Sequence, residues 1–328
     1  MITRRDILRD GGLALAGLAA PGLRSRLTPH ASRHPPLLVV IVLRGGADGL
    51  GIVVPHGDRT YYQSRPSLAV PSPGHPGSAI DLDGFFGLHP GLSPLEPLYQ
   101  CGRMAVVHAC GLAGTGGSHL EAQDALEAVL AALRRAGRWE VSGPRGSSDT
   151  AADGTGDPAF PSGSFDRQLR QIVQRAKAGD SPGVEWATLS GWDHHAGEGG
   201  AGGLLATRLD QLSRGVTSLL AGLGQLASRT VVVTVSEFGR AVAENASGGT
   251  EHGRGTVMLV IGHRVRGGRI VGRWPGLDRR ARGLDITTDV RDVLAEVASR
   301  HLGVGTGGAL FPGYPTPAVN RPGLMAGP

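Results

Sequence analysis

The sequence predicts an α/β fold, a sandwich built around a largely parallel sheet. Three observations carry that expectation. Apolar runs of strand length, such as LLVVIVL (37–43), TVVVTV (230–235) and TVMLVIG (256–262), are continuous rather than alternating, as strands covered on both faces require. Helical patterns separate such runs. The clearest is the stripe Leu205, Leu209, Leu212, Val216, Leu219, Leu223 and Leu226, spaced by fours and threes along about 25 residues. Acids and histidines then gather just past the strand ends, where open α/β sheets collect functional groups.

In chain order, MITRRDILRDGGLALAGLAAPG comes first, with Arg4 and Arg5 ahead of Ile7 and Leu8 and an apolar stretch over 13–20. That stretch is too short to span a bilayer, and its arrangement looks like a twin-arginine export signal; an ordinary amphipathic first helix is the alternative. Residues 1–33 are therefore expected to be signal peptide and linker. The twin-arginine translocase would be a partner, and the mature protein would be periplasmic or extracellular with no stable transmembrane segment. After the first strand, residues 91–100 form a short proline-opened helix and MAVVHA (104–109) a strand. A helix runs from 119 to about 135, then a low-complexity loop over about 136–163. Helix 165–177, strand 184–189, the striped helix, the two strands 230–235 and 256–262, and a last helix over about 287–301 complete the series.

Composition narrows the function classes. The chain has 328 residues and a formal charge of +5, but its basic residues are scattered and aromatics are only 4%. Stacking platforms for single strands are scarce, so no nucleic-acid partner is expected. Export would permit a disulfide between Cys101 and Cys110, yet nine extended residues separate them by roughly 30 Å, far beyond the ~7 Å limit. Both are expected to be small core residues.

The chemistry-bearing residues sit at element ends. LLVVIVL leads into Arg44-Gly45-Gly46-Ala47-Asp48, the strand 184–189 into Ser190-Gly191-Trp192-Asp193-His194-His195, and TVVVTV into Ser236-Glu237-Phe238-Gly239-Arg240. Glu251-His252 precedes another strand, and Ser118-His119 opens a helix. Carboxylate oxygens mixed with imidazole nitrogens suit divalent metals, and a serine at a helix start is a nucleophile in surroundings that favour anions. Each also has a plainer reading: Asp48 as a turn residue, Glu237 as a strand end paired with Arg240, Ser118 as an N-cap with Glu121 in a capping box.

The ordered set LRGGADGLGIVVPHGDRTYYQSRP, FGLHPGLSPLEPLYQCGRMAVVHACG, GSHLEAQDALE, SGWDHHAG, VVVTVSEFGR and GGTEHGRG resembles the domain of unknown function 1501 family over roughly 37–130 and 165–303. Its members are mostly twin-arginine-exported and related to the sulfatase and alkaline phosphatase superfamily. The resemblance implies a three-layer α/β/α sandwich, one alkaline-phosphatase-like domain over 34–328, and a metal-dependent hydrolase site holding one or two divalent ions (Zn, Ca, Mg or Mn). It implies Ser118 as nucleophile, and Asp48, Asp193, His195, Glu237 and His252 as ligands. His119 is a possible further ligand, Glu251 a possible additional site residue that supports the ligands without binding the ion, and Arg44 or Arg240 is expected to hold the anion of a small phosphate or sulfate ester. The pattern departs at Phe238, where the superfamily has the histidine of an Asp-His pair, and at Glu251, where the family usually has Asp. Two other readings stay open: a non-catalytic exported metal-binding module, and a scaffold whose acids are merely solvated.

Overall fold

The computed structural model describes residues 35–114, 119–136, 163–305, 310–311, 313–314 and 321–327. The expected signal peptide, Ser118 and nearly all of the low-complexity loop lie outside the described residues. The first half of the chain supplies β1 (Leu37–Arg44), α1 (Gly49–Ile52), β2 (Val53–Val54), α2 (Arg59–Ser64), β3 (Ile80–Asp81), β4 (Gly87–Leu88), α3 (Glu96–Gln100), β5 (Met104–Gly111) and α4 (His119–Ala136). The second supplies α5 (Ser164–Ala178), β6 (Val184–Ser190), α6 (Leu204–Leu223), β7 (Thr230–Val235), β8 (Arg240–Glu244), β9 (Thr250–His252), β10 (Thr256–Gly262), β11 (Arg269–Val271), β12 (Thr288–Asp289) and α7 (Val290–Leu302).

The central sheet has seven strands in the order β11-β5-β10-β7-β1-β6, with β12 also on β5. Strand β1 pairs in parallel with β6 and β7, and β5 in parallel with β11 and β12. Only β10 runs against the rest, antiparallel to both β5 and β7. The physical reason lies between Val235 and Thr256. A parallel return needs a crossover, usually helical; this stretch holds only the β8–β9 hairpin, so the chain re-enters the sheet at the end it left. The sheet is mostly parallel, as the sequence implied, with one reversed strand that it did not reveal.

Alternate residues of β1 explain its continuous apolar run. Leu37, Val39, Ile41 and Leu43 join one buried cluster with Phe165 and Leu169 of α5 and Leu209 and Leu212 of α6. Leu38 and Val40 join another with Leu126 and Leu133 of α4 and Val293 and Leu294 of α7. Both faces are thus helix-covered, and each such side chain contributes about 1.5–3 kcal/mol on burial. The α6 stripe is buried through Leu223, but the helix stops there: Gly224 takes φ +58 and a 3-10 turn follows over Gly224–Arg229.

Other expectations shift by a turn. The proline-opened segment is a 3-10 turn over Pro90–Leu95 followed by α3, because Pro94 inside it cannot donate a helical hydrogen bond. The last helix starts at Val290 instead of 287, since Thr288 and Asp289 are paired to β5 and Asp289 caps Arg291 N at 2.8 Å. Cys110 is buried on β5 as expected, whereas Cys101 is exposed after α3. Among the described residues, no helix is long and apolar enough to cross a membrane.

Candidate metal centre

Three loops at one end of the sheet are laced together before any chemistry is considered. After β6, Gly191 at φ +92 turns the chain, and Trp192 is buried with its Nε1 donating to Leu189 O at 2.9 Å and its backbone N to Arg44 O at 3.2 Å. The GWD turn therefore docks on the end of β1. The following residues pair with the hairpin tip: Thr250 N donates to His194 O, Gly197 N to Ser247 O and Glu198 N to Gly248 O, all at 2.8–3.0 Å.

Arg240 locks the assembly. Its side chain is fully buried, with Nε donating to Gly46 O (2.7 Å) and Nη1 to Thr250 O (3.1 Å). Nη2 reaches Gly45 O (2.7 Å), Trp192 O (2.9 Å) and Asp193 Oδ1 (2.5 Å). A guanidinium spent on four carbonyls and a carboxylate is not free to receive a substrate anion, so the expected anion-holding role of Arg240 gives way to one of orienting Asp193.

Around Asp193 three donor atoms converge. His252 Nε2 and His195 Nε2 each lie 3.1 Å from Asp193 Oδ1, and the two histidine nitrogens lie 3.0 Å from one another. Asp193, His195 and His252 form a group of metal-ligating atoms within 4.8 Å of one another, the group of that kind among the described residues. Burial works to raise the Asp193 carboxyl, but hydrogen bonds from Arg240 and His252 outweigh it and hold it below the usual carboxylate range. Burial also depresses His252, against the pull of Asp193, which favours the neutral, metal-ligating imidazole. Phe238 packs on the His252 ring, with centroids 4.7 Å apart.

Other expected ligands are occupied elsewhere. Asp48 is 2% exposed, and both its oxygens are held by Arg65 at 2.5 and 2.9 Å, while Arg65 also donates to Val242 O and Ala241 O. Its oxygens do not join the Asp193 group. Glu237, 3% exposed, takes the backbone N–H groups of Gly45 (3.2 Å) and Gly46 (3.3 Å), with Ser236 Oγ 3.1 Å away. Those successive amides, at φ +125 and +83, form an anion-binding concavity that the protein's own carboxylate fills. Glu251 stands 3.3 Å from His195 Nδ1. Arg44 ends β1 exposed, lining a cavity of about 330 Å³ with Arg134 and Trp186. His119 starts α4, and its side chain lies outside the described residues.

Sequence reasoning missed Asn245, Glu198 and Arg65. Glu198 is 1% exposed and accepts from Thr250 Oγ1 at 2.8 Å; burial first, and then the nearby Asp48 charge, raise its carboxyl. Nothing in GEGG or SRPS marked Glu198 or Arg65, because their hydrogen bonds to Thr250, Asp48 and Val242 span 52, 17 and 177 positions.

No curated protein sequence matches the chain. The solved structure titled "Crystal structure of Ps i-CgsB" is 11% identical, with a TM-score of 0.34 and coverage of 86% of this chain and 75% of that one. The structure titled "Crystal structure of Ps i-CgsB in complex with k-i-k-neocarrahexaose" is also 11% identical, with a TM-score of 0.30 and coverage of 83% and 72%. A family model described as "Protein of unknown function (DUF1501)" matches residues 148–304, a match that supports the resemblance to that family over this part of the chain.

Proposed function

We propose that this protein is a metal-dependent hydrolase-like protein with one divalent ion held by Asp193, His195 and His252. The observation that carries the reading is the triangle of Asp193 Oδ1, His195 Nε2 and His252 Nε2, with sides of 3.0–3.1 Å. Four-coordinate zinc with bonds of ~2.0–2.1 Å spaces its ligand atoms by about 3.3 Å, so the triangle fits such an ion with small adjustment. Two imidazoles and a carboxylate favour zinc-class metals over calcium or magnesium, and three protein ligands leave a position open, as in catalytic rather than structural sites. A divalent ion there would act as a Lewis acid on an ester oxygen.

The chain's own residues do the rest. Arg240 fixes Asp193, and a cavity of about 360 Å³ beside Phe238 and Gly253 offers room for a small substrate, with Arg254 as the cation on its wall. The family resemblance assigns Ser118 the role of nucleophile toward a phosphate or sulfate ester, on a sulfatase-like or alkaline-phosphatase-like sandwich exported through the twin-arginine pathway. Because Asp48 and Glu237 have other partners, the reading takes one ion rather than two.

Metal analysis of purified protein together with hydrolysis of 4-nitrophenyl phosphate and sulfate tests this. About one ion per chain is expected in the wild type, lost in Asp193→Asn and His252→Ala but kept in Ser118→Ala, which loses hydrolysis. Protein that binds no divalent metal sinks the reading. A second reading, a non-catalytic metal-binding module, draws on Glu237 filling the amides of Gly45 and Gly46, which leaves them unable to hold a substrate anion. Metal binding without hydrolysis across an ester panel would select it.

A further inference from the structure

His195 has two ring nitrogens with different neighbours. Nε2 faces Asp193 Oδ1 and His252 Nε2, while Nδ1 faces Glu251 Oε2 at 3.3 Å. For Nε2 to offer a lone pair to a cation, the ring proton must sit on Nδ1. A carboxylate at that nitrogen selects this tautomer, aims the ring and raises its basicity as a ligand.

Glu251 is itself held. Its Oε1 accepts from Asn245 Nδ2 at 2.8 Å, and the same nitrogen donates to His195 O at 2.9 Å. Asn245 Oδ1 accepts from Ser247 N (2.9 Å) and Gly249 N (3.1 Å), so the orientation of the amide is set by two backbone donors on one side and two acceptors on the other. The backbone of Asn245 is tied to the same turn, its N donating to Gly249 O at 2.8 Å. The turn between β8 and β9 thus presents one amide whose four hydrogen bonds join the turn, the His195 backbone and the Glu251 carboxylate.

We infer that Glu251 and Asn245 are positioning residues that tune the metal affinity of the centre through His195, Glu251 acting directly on the ring and Asn245 through Glu251. This rests on the metal reading above. It also gives different tasks to the paired residues Glu251 and His252, one serving the ligand across the turn and the other acting as a ligand itself. The remaining ligand, Asp193, has its own buried partner in Arg240, so two of the three donors are oriented by a charged group behind them.

Zinc titration of the metal-stripped full chain, in competition with a chromophoric chelator, tests the inference, with thermal unfolding of the metal-free protein read in parallel. Glu251→Gln is expected to weaken zinc binding by about 10–100-fold while leaving the metal-free melting temperature unchanged, and Glu251→Asp to recover part of the loss. Nitrogen NMR shifts of the His195 ring in metal-free wild type are expected to report protonation at Nδ1, a preference reduced in Glu251→Gln. Asn245→Asp, which keeps an oxygen for the backbone donors but loses the bond to Glu251, is expected to weaken zinc binding less than Glu251→Gln. Wild type that binds no zinc overturns the metal centre itself. Wild type that binds zinc while Glu251→Gln binds equally well overturns only the positioning role. A loss of affinity that tracks an equal loss of metal-free stability also overturns it, because it would mark Glu251 as structural.

Discussion

Asp48 and Asp193 carry the same side chain past the tips of two adjacent strands, and their neighbours give them different work. Asp48 is buried against Arg65, which grips both carboxylate oxygens. Removing one partner of such a pair strands the other charge in the interior, so Arg65→Ala is expected to cost about 3–5 kcal/mol in urea denaturation, with zinc stoichiometry unchanged in the protein that remains folded. Asp193 is half-exposed and takes Arg240 on one side and two histidines on the other. Asp193→Asn is expected to abolish tight metal binding but to cost only about 1–2 kcal/mol, since water screens the exposed side of the carboxylate. A larger loss of stability than in Arg65→Ala would reverse that assignment. Phe238 is neither a ligand nor incidental packing: its ring lies against His252 and over Gly46, where an added Cβ would collide with it.

At the scale of elements, the β8–β9 hairpin is the part that assembles the centre. It brings His252 and Glu251 to the GWD turn, and Gly249 lies so close to that turn that a Cβ would strike the backbone of His195 and Ala196. Gly249→Ala is therefore expected to push the hairpin away, costing about 1–3 kcal/mol and weakening zinc binding together with stability. This joint loss distinguishes it from Glu251→Gln, and calorimetry of the metal-free and zinc-loaded forms measures both. The same hairpin occupies the place of a helical crossover and reverses β10. One short connection thus sets both the direction of a strand and the meeting of two histidines.

Over the whole molecule, buried histidines dictate the response to acid. His108 is buried among Phe86 and Trp274; its Nδ1 accepts from Ala109 N at 2.9 Å, which leaves Nε2 to donate to Val53 O at 3.0 Å. Burial lowers its pKa to about 4, against a favourable bond to Val53. Burial also lowers His89 and His301. For a histidine whose folded pKa is depressed, the unfolded chain takes up the proton first. Stability is therefore full above the unfolded value of about 6.5 and falls as pH drops toward 4, by roughly 3 kcal/mol for His108 alone. Denaturant midpoints measured at pH 7.5, 6 and 5 are expected to fall, and to fall less steeply in His108→Gln; a flat profile in the wild type would contradict this account.

Much of the fold was legible in the chain because apolar periodicity is a local signal. Continuous runs marked the buried strands, and the leucine stripe marked α6 up to Gly224, whose positive φ ended it. The candidate ligands Asp193 and His195 were legible because they fall in one turn after β6, and His252 because it lies in the glycine-rich stretch just before β10. Proximity in sequence could not show which acids have other partners. The grip of Arg65 on Asp48, the amides of Gly45 and Gly46 around Glu237, and the attachment of Glu251 to His195 through Asn245 all join residues that patterning leaves unrelated. The sequence by itself determined the α/β class and the supply of acids and histidines at strand tips. Tertiary structure alone decided which of them meet, because ion pairing and ligand geometry act at about 3 Å between side chains whose separation along the chain carries no trace of that distance.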